Sequence, residues 1–256
     1  MSWQDIFTSF ANTYGMRKIT DLAVELCEEV THSEDGLTFD IQEFDGGKKY
    51  LTHVKTARAA KQIGKPIGIY CNIESPKEGY FSNELTQALS TTLAKFVESS
   101  GVPFKKLLVI GLGNSRFVAD SLGPKVCENI ITNEQVATFA PSILSATGIS
   151  STEAARSITS LVKPSHVIVI DSLCCHEKSR LGTSFQIADT GITPGSGVYR
   201  NNQKIDKDFL GVPVFAVGVP LVIYLPSLHY VVPKTIDMLV VQCANVISDA
   251  ISTIVN

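Results

Sequence analysis

Three short stretches of this sequence are apolar at almost every position: Leu107 to Ile110, His166 to Ile170 and Val212 to Val219. A strand with one face in water alternates apolar and polar residues. A strand apolar on both faces must be covered on both, so these runs predict central parallel strands with helices above and below. Between the first two runs, Thr152 to Val162 reads as a helix. Ser150-Ser151-Thr152-Glu153 fits a capping box at its start, and Pro164 ends it. From Pro233 a long amphipathic helix follows, with Ile236, Leu239, Val240, Cys243, Val246, Ile247, Ile251 and Ile254 as its stripe. Strands alternating with helices give an α/β class fold.

The N-terminal half is patterned differently. Ile19 to Val30 has roughly helical apolar spacing, and Glu84 to Val97 is a clear amphipathic helix. Leu37 to Phe44 alternates and ends at the turn Asp45-Gly46-Gly47, and Lys65 to Glu74 alternates again. At 256 residues and 44% hydrophobic, the chain can build one sizeable core. A net charge of −3 argues against a surface for nucleic-acid phosphate. The six cysteines contain no C-x-x-C pair, so buried free thiols in a reducing compartment are expected. Met1 to Asp5 lacks the basic start and apolar stretch of a signal peptide, so a cytoplasmic location is expected. Leu210 to Pro233 has no charged side chain, but Pro213, Pro220 and Pro226 interrupt it. It reads as a buried strand followed by a loop, not a membrane span.

Ligands of open parallel sheets bind beyond the carboxyl ends of the strands. Gly111-Leu112-Gly113-Asn114 follows the first run, but Arg116 stands where a dinucleotide fingerprint needs its third glycine. Gly182-Thr183-Ser184-Phe185-Gln186 misses the closing glycine of a nucleophile elbow. His176-Glu177 begins a zincin motif, but Arg180 occupies the second histidine position. Cys174 and Cys175 adjoin His176, yet neighbours on a strand point apart. Carboxylates are left. Asp120, Asp171 and Asp189 lie in or beside Gly/Pro-shaped loops. Two close carboxylates share a proton, so that one can activate water while the other protonates the scissile group. The other reading of the same residues is as turn and cap aspartates.

A further set of motifs runs nearly end to end. They are Thr20-Asp21-Leu22-Ala23-Val24-Glu25, Gly64-Lys65-Pro66-Ile67-Gly68-Ile69-Tyr70, the GLGN at 111–114 and the DSLGP at 120–124. Thr147-Gly148-Ile149, Ile170-Asp171, Gln186-Ile187-Ala188, the DTGITPGSGV at 189–198, Gly218-Val219-Pro220 and Pro233 to Met238 follow in order. In these the chain resembles the spore germination protease family, endopeptidases that degrade small acid-soluble spore proteins, as a shortened and divergent member.

The resemblance implies a three-layer α/β/α sandwich around a mostly parallel twisted sheet, phosphorylase/hydrolase-like and similar to hydrogenase maturation proteases. It implies Asp120 and Asp189 as catalytic aspartates, with Asp171, Asn114, Ser121, Thr190 and Ser196 in support. It implies a candidate propeptide or arm at 1–15 and a single protease domain at 16–256, made as a zymogen. A homo-oligomer, spore-protein substrates, a spore-core location and no cofactor are expected, with a divalent metal left open. Direct nucleic-acid and membrane binding are not expected. The chain departs from the family pattern at Ile131 to Glu134, at Tyr199 to Asn202 and at Leu221 to Tyr224. A second reading is therefore a catalytically impaired relative that binds spore proteins or a partner protease. A third is a metal-dependent maturation-type protease holding a cation on Asp120, Asp171 and a histidine.

Overall fold

The apolar runs lie side by side in the middle of one sheet. The computed structural model describes residues 19–28, 30, 36–194, 203–225 and 228–255. In chain order its elements are α1 (Ala23–Glu28), β1 (Leu37–Phe44), β2 (Gly47–Val54), α2 (Ala57–Ile63), β3 (Gly68–Glu74), α3 (Asn83–Ser99), β4 (Leu107–Gly111), α4 (Leu122–Asn129) and β5 (Val136–Phe139). Then come α5 (Leu144–Thr147), α6 (Ser151–Val162), β6 (His166–Cys175), β7 (Ser184–Ala188), α7 (Lys207–Leu210), β8 (Val214–Leu225), β9 (His229–Val231) and α8 (Ile236–Val255). The candidate arm at 1–15 lies outside the described residues.

The strand order is β1-β2-β3-β7-β8-β6-β4-β5, with β9 on β8. Parallel pairing holds for β8, β6, β4 and β5, as the all-apolar runs require. The sheet is extended on the other side by antiparallel strands, from β8 through β7 and β3 to the hairpin β1–β2. The hairpin turns on Asp45-Gly46, with Phe44 paired to Gly47, and an Asp-Gly loop suits that two-residue turn.

Alternate residues of each strand serve opposite faces. Leu107, Val109, Ile168, Ile170, Phe185 and Val217 meet α3, α4 and α8. Leu108, Ile110, Val167 and Val169 share the opposite core with Ala155 of α6, while Val54, Tyr70 and Ala216 cluster with α1 and α2. The result is three layers, α/β/α. By length and hydropathy α8 could cross a bilayer, but its stripe from Leu239 to Ile251 is buried in the core.

Two strands run further than the sequence predicts. β6 does not stop at Asp171 but continues to Cys175, because β8 pairs with it all the way. β8 passes through Pro220, and the register shifts opposite Leu173 and Cys174, where a strand proline is tolerated. The helix α6 starts at Ser151, one residue before the expected Thr152. The Ser150 side chain, however, makes no cap bond and meets Thr152 Oγ1 at 2.6 Å instead.

His166, the first residue of β6, is fully buried between the rings of Phe104 and Phe215. Its ring nitrogens meet Ser100 Oγ at 3.0 Å and Ser165 Oγ at 3.1 Å. Burial pushes the imidazole below its ordinary value. The folded state therefore prefers the neutral ring, and the unfolded chain takes up the proton first. Stability from this site is fully present above the unfolded value of about 6.5 and is lost as pH falls from there through the lowered folded one. The expected result is a Tm that drops between about pH 7.5 and 5.5, with a flatter profile in His166→Phe, measured by scanning calorimetry.

Candidate active site

A crevice opens where β4 stops. Beyond Gly111 the chain turns aside, and its last ladder bond is from Leu112 N–H to the Ile170 carbonyl at 2.8 Å. A Cβ on Gly111 would lie 2.2 Å from the Gly123 carbonyl, and one on Gly123 would lie 2.3 Å from the Leu112 carbonyl. These glycines bring the first turn of α4 directly onto the end of β4. They serve close packing here, in place of the phosphate cradle that a G-x-G suggests.

Gly113 has φ +113°, and a Cβ there would lie 2.0 Å from the main-chain oxygen of Asp120. That oxygen accepts from Asn114 N–H at 2.8 Å. Asp120 ends a short 3-10 turn, Val118–Asp120, and is thereby set at the mouth of the crevice. Asn114 Oδ1 accepts from Arg116 N–H, and Ser121 Oγ donates to the Val118 carbonyl, so both shape this loop. Gly113→Ala is expected to cost about 2 kcal/mol or more, by strain and clash together, and to displace Asp120. Urea unfolding measures the first effect and turnover the second.

Asp171 lies on β6 one residue past the last pairing with β4 and is 7% exposed. Its Oδ1 accepts from the following N–H, Ser172, at 2.9 Å. Burial, then the charges of Asp120 and Asp21, push its carboxyl well above the ordinary range. The Ser172 N–H opposes this but does not offset it. Asp171 therefore holds a proton that an exposed aspartate would release.

Asp21 is the third carboxylate of the site, and its motif gives no local sign of the role. It lies just before α1, and its Oδ2 accepts from Cys174 N–H at 2.9 Å. Its own N–H donates to the Cys174 carbonyl at 2.8 Å. Lys65 Nζ at 2.7 Å and Gln186 Nε2 at 3.1 Å both donate to the Asp21 carbonyl. Together Asp21, Asn114, Asp120 and Asp171 line a cavity of about 520 Å³, roofed by Ile143, Leu144 and the start of α6.

Asp189 is not among the residues lining that cavity. Its Oδ1 accepts from Ile69 N–H at 2.8 Å, and its N–H donates to the Ile69 carbonyl, adding a rung between β7 and β3. Gly68 leaves room for it, since a Cβ there would lie 2.4 Å from Asp189 Oδ1. Burial raises its carboxyl and the Ile69 N–H opposes. The carboxyls that share the cavity with Asp120 are those of Asp171 and Asp21. Thr190 lines an adjoining cavity of about 130 Å³ with Lys65 and Lys204. Ser196 lies outside the described residues.

The six cysteines are buried and unbridged. Burial pushes the Cys174 thiol up to about 12, with help from Asp21 and Glu25, so it is a poor nucleophile. Among the described residues no three His, Cys, Asp or Glu side chains are arranged to hold a metal ion.

A family model described as germination protease matches residues 17–240, a span that contains Asp21, Asp120, Asp171 and Asp189. The germination protease of Caldanaerobacter subterraneus is 35% identical over 223 residues, which cover 80% of this chain and 68% of that one. That of Bacillus subtilis is 33% identical over 238 residues, covering 83% and 64%. The chain thus spans about two thirds of the length of these curated relatives. A crystal structure of a NiFe hydrogenase maturation protease from Thermococcus kodakarensis aligns with TM-score 0.43 at 18% identity, over 63% of this chain and 99% of that one. Matched by the family model along most of its length, through every loop that builds the crevice, the chain belongs to the germination protease family.

Proposed function

We propose that this chain is an endopeptidase of small acid-soluble spore proteins, acting in the spore core during germination, with Asp120 and Asp171 as its working pair. The observation that carries this reading is the buried Asp171 carboxyl beside Asp120 in a cavity large enough for several peptide groups. Family membership supports the peptidase assignment. Asp189 then has a positioning role on the β7–β3 edge. The first 15 residues are read as a propeptide, and the active form as a homo-oligomer.

The environments divide the labour. Burial and the neighbouring charges favour the protonated form of Asp171, so it is read as the acid and Asp120 as the base. Asp120 takes a proton from water as the water oxygen bonds to the scissile carbonyl carbon. Asp171 gives its proton to the carbonyl oxygen, which forms a gem-diol. In collapse the C–N bond breaks, Asp120 returns its proton to the departing nitrogen, and Asp171 recovers one from a diol hydroxyl. A carboxylic acid and an amine leave, and the pair regains its single proton.

The test is incubation of the purified full chain with a small acid-soluble spore protein, with and without a chelator, and mass spectrometry of the fragments. Internal cleavage that survives chelation is expected. An intact substrate would overturn the reading, and cleavage lost to the chelator would transfer it to a metal-dependent protease.

A further inference from the structure

Among the described residues, one rung of the sheet inside the acid cavity has no neighbouring strand. On β6 the even-numbered residues turn their main-chain groups toward β4, as His166 N–H to the Lys106 carbonyl and the Ile170 carbonyl to Leu112 N–H show. Odd-numbered residues turn toward β8, as with Val167 N–H to the Pro213 carbonyl. β4 has ended by Ile170, and β6 continues to Cys175. At Cys174 the place of a neighbouring strand is taken by Asp21, through its own N–H and its carboxylate. Between these two filled positions lies Ser172. Its N–H is turned onto the Asp171 carboxylate at 2.9 Å. By the alternation of a strand, its carbonyl faces the gap left by β4. Ser172, Asp120 and Asp171 all line that gap.

We propose that the Ser172 rung receives the main chain of the substrate, as a short extended segment added to the edge of β6. This rests on the protease reading above. One substrate N–H would donate to the Ser172 carbonyl. The segment is confined, because Leu112 and Asp21 occupy the rungs on either side. Such a bond aligns the neighbouring peptide group across Asp120 and Asp171, and it selects extended conformation instead of a side chain. It also explains why β6 outruns β4: the extra length is a binding edge.

An N-methyl scan of a peptide tests this. A fluorescent 12-residue peptide spanning a mapped cleavage site is methylated at one main-chain nitrogen at a time. Binding is measured by anisotropy on the full chain carrying Asp120→Asn, so that turnover does not enter. One position is expected to weaken binding about tenfold or more, with both neighbouring positions tolerated. If every methylated peptide binds like the parent, or if losses spread evenly along it, the rung proposal is overturned while cleavage by the unmodified chain leaves the protease reading standing. If the unmodified chain cleaves no spore protein at all, the protease reading fails, and this proposal falls with it.

Discussion

On the proposed pairing, Asp171→Asn is expected to reduce turnover of a small acid-soluble spore protein by about a thousandfold, and Asp120→Asn likewise, whereas Asp189→Asn is expected to stay within about tenfold of the parent. The amide at 171 can still accept from Ser172 N–H, so geometry is kept while the transferable proton is lost. The same substitution should stabilise the fold. The Asp171 carboxyl is raised in the folded state, so its contribution is fully present below the unfolded value of about 4 and is lost as pH rises through the folded one. Asp171→Asn is therefore expected to be more stable than the parent at alkaline pH, by about 1 kcal/mol, and to unfold at higher temperature, with the gap closing in acid. Fragment release by chromatography and calorimetry at several pH values check both halves. Equal losses in Asp171→Asn and Asp189→Asn, or full activity in the former, would sink the pairing.

Arg180→Met is expected to be the most damaging single change to stability. Arg180 is 7% exposed. Its Nη1 and Nη2 grip Glu28 at 2.7 and 2.6 Å, and its Nε reaches Glu74 at 2.7 Å. The guanidinium also lies 5.7 Å from the centre of the Tyr50 ring. Glu28 is the more exposed partner and adds little, whereas the Glu74 side chain is only 15% exposed. Without Arg180 the mostly buried Glu74 carboxylate loses its cation, at a cost of about 3 kcal/mol. Burial already raises the Glu74 carboxyl and Arg180 opposes it, so the loss should shrink in acid as Glu74 takes a proton. Arg180→Met with Glu74→Gln should recover much of the stability, which urea unfolding can measure. The same change loosens α1, because Glu28 is its last residue.

The parallel centre of the sheet was legible because both faces of β4, β6 and β8 are buried, and burial on both faces writes an unbroken apolar run. β2 and β7 were not, since Lys48, Lys49 and His53 on β2 and Ser184 and Gln186 on β7 blur any alternation. The extent of β6 was hidden for a related reason. Asp171 and Ser172 look like a loop in one dimension, and only pairing with β8 keeps them extended. In the site, the aspartates 120, 171 and 189 were all visible as loop acids. Which of them line one cavity was not, because that depends on which rung each joins. Asp189 is taken up by Ile69, and Asp171 is left facing the gap beyond β4. Asp21 was the hardest to see. Its local context is a weak helix, and its role comes from Cys174.

That last bond spans 153 positions of the chain. The cavity thus brings Asp21 together with residues 112–120, 143–152 and 171–174. Contacts of such separation carry a heavy loop-closure penalty and form late in folding. A chain still emerging from the ribosome, or partly unfolded afterwards, would hold acidic residues but no groove. A site built this way is assembled only in the folded chain, so topology itself withholds it until folding is complete.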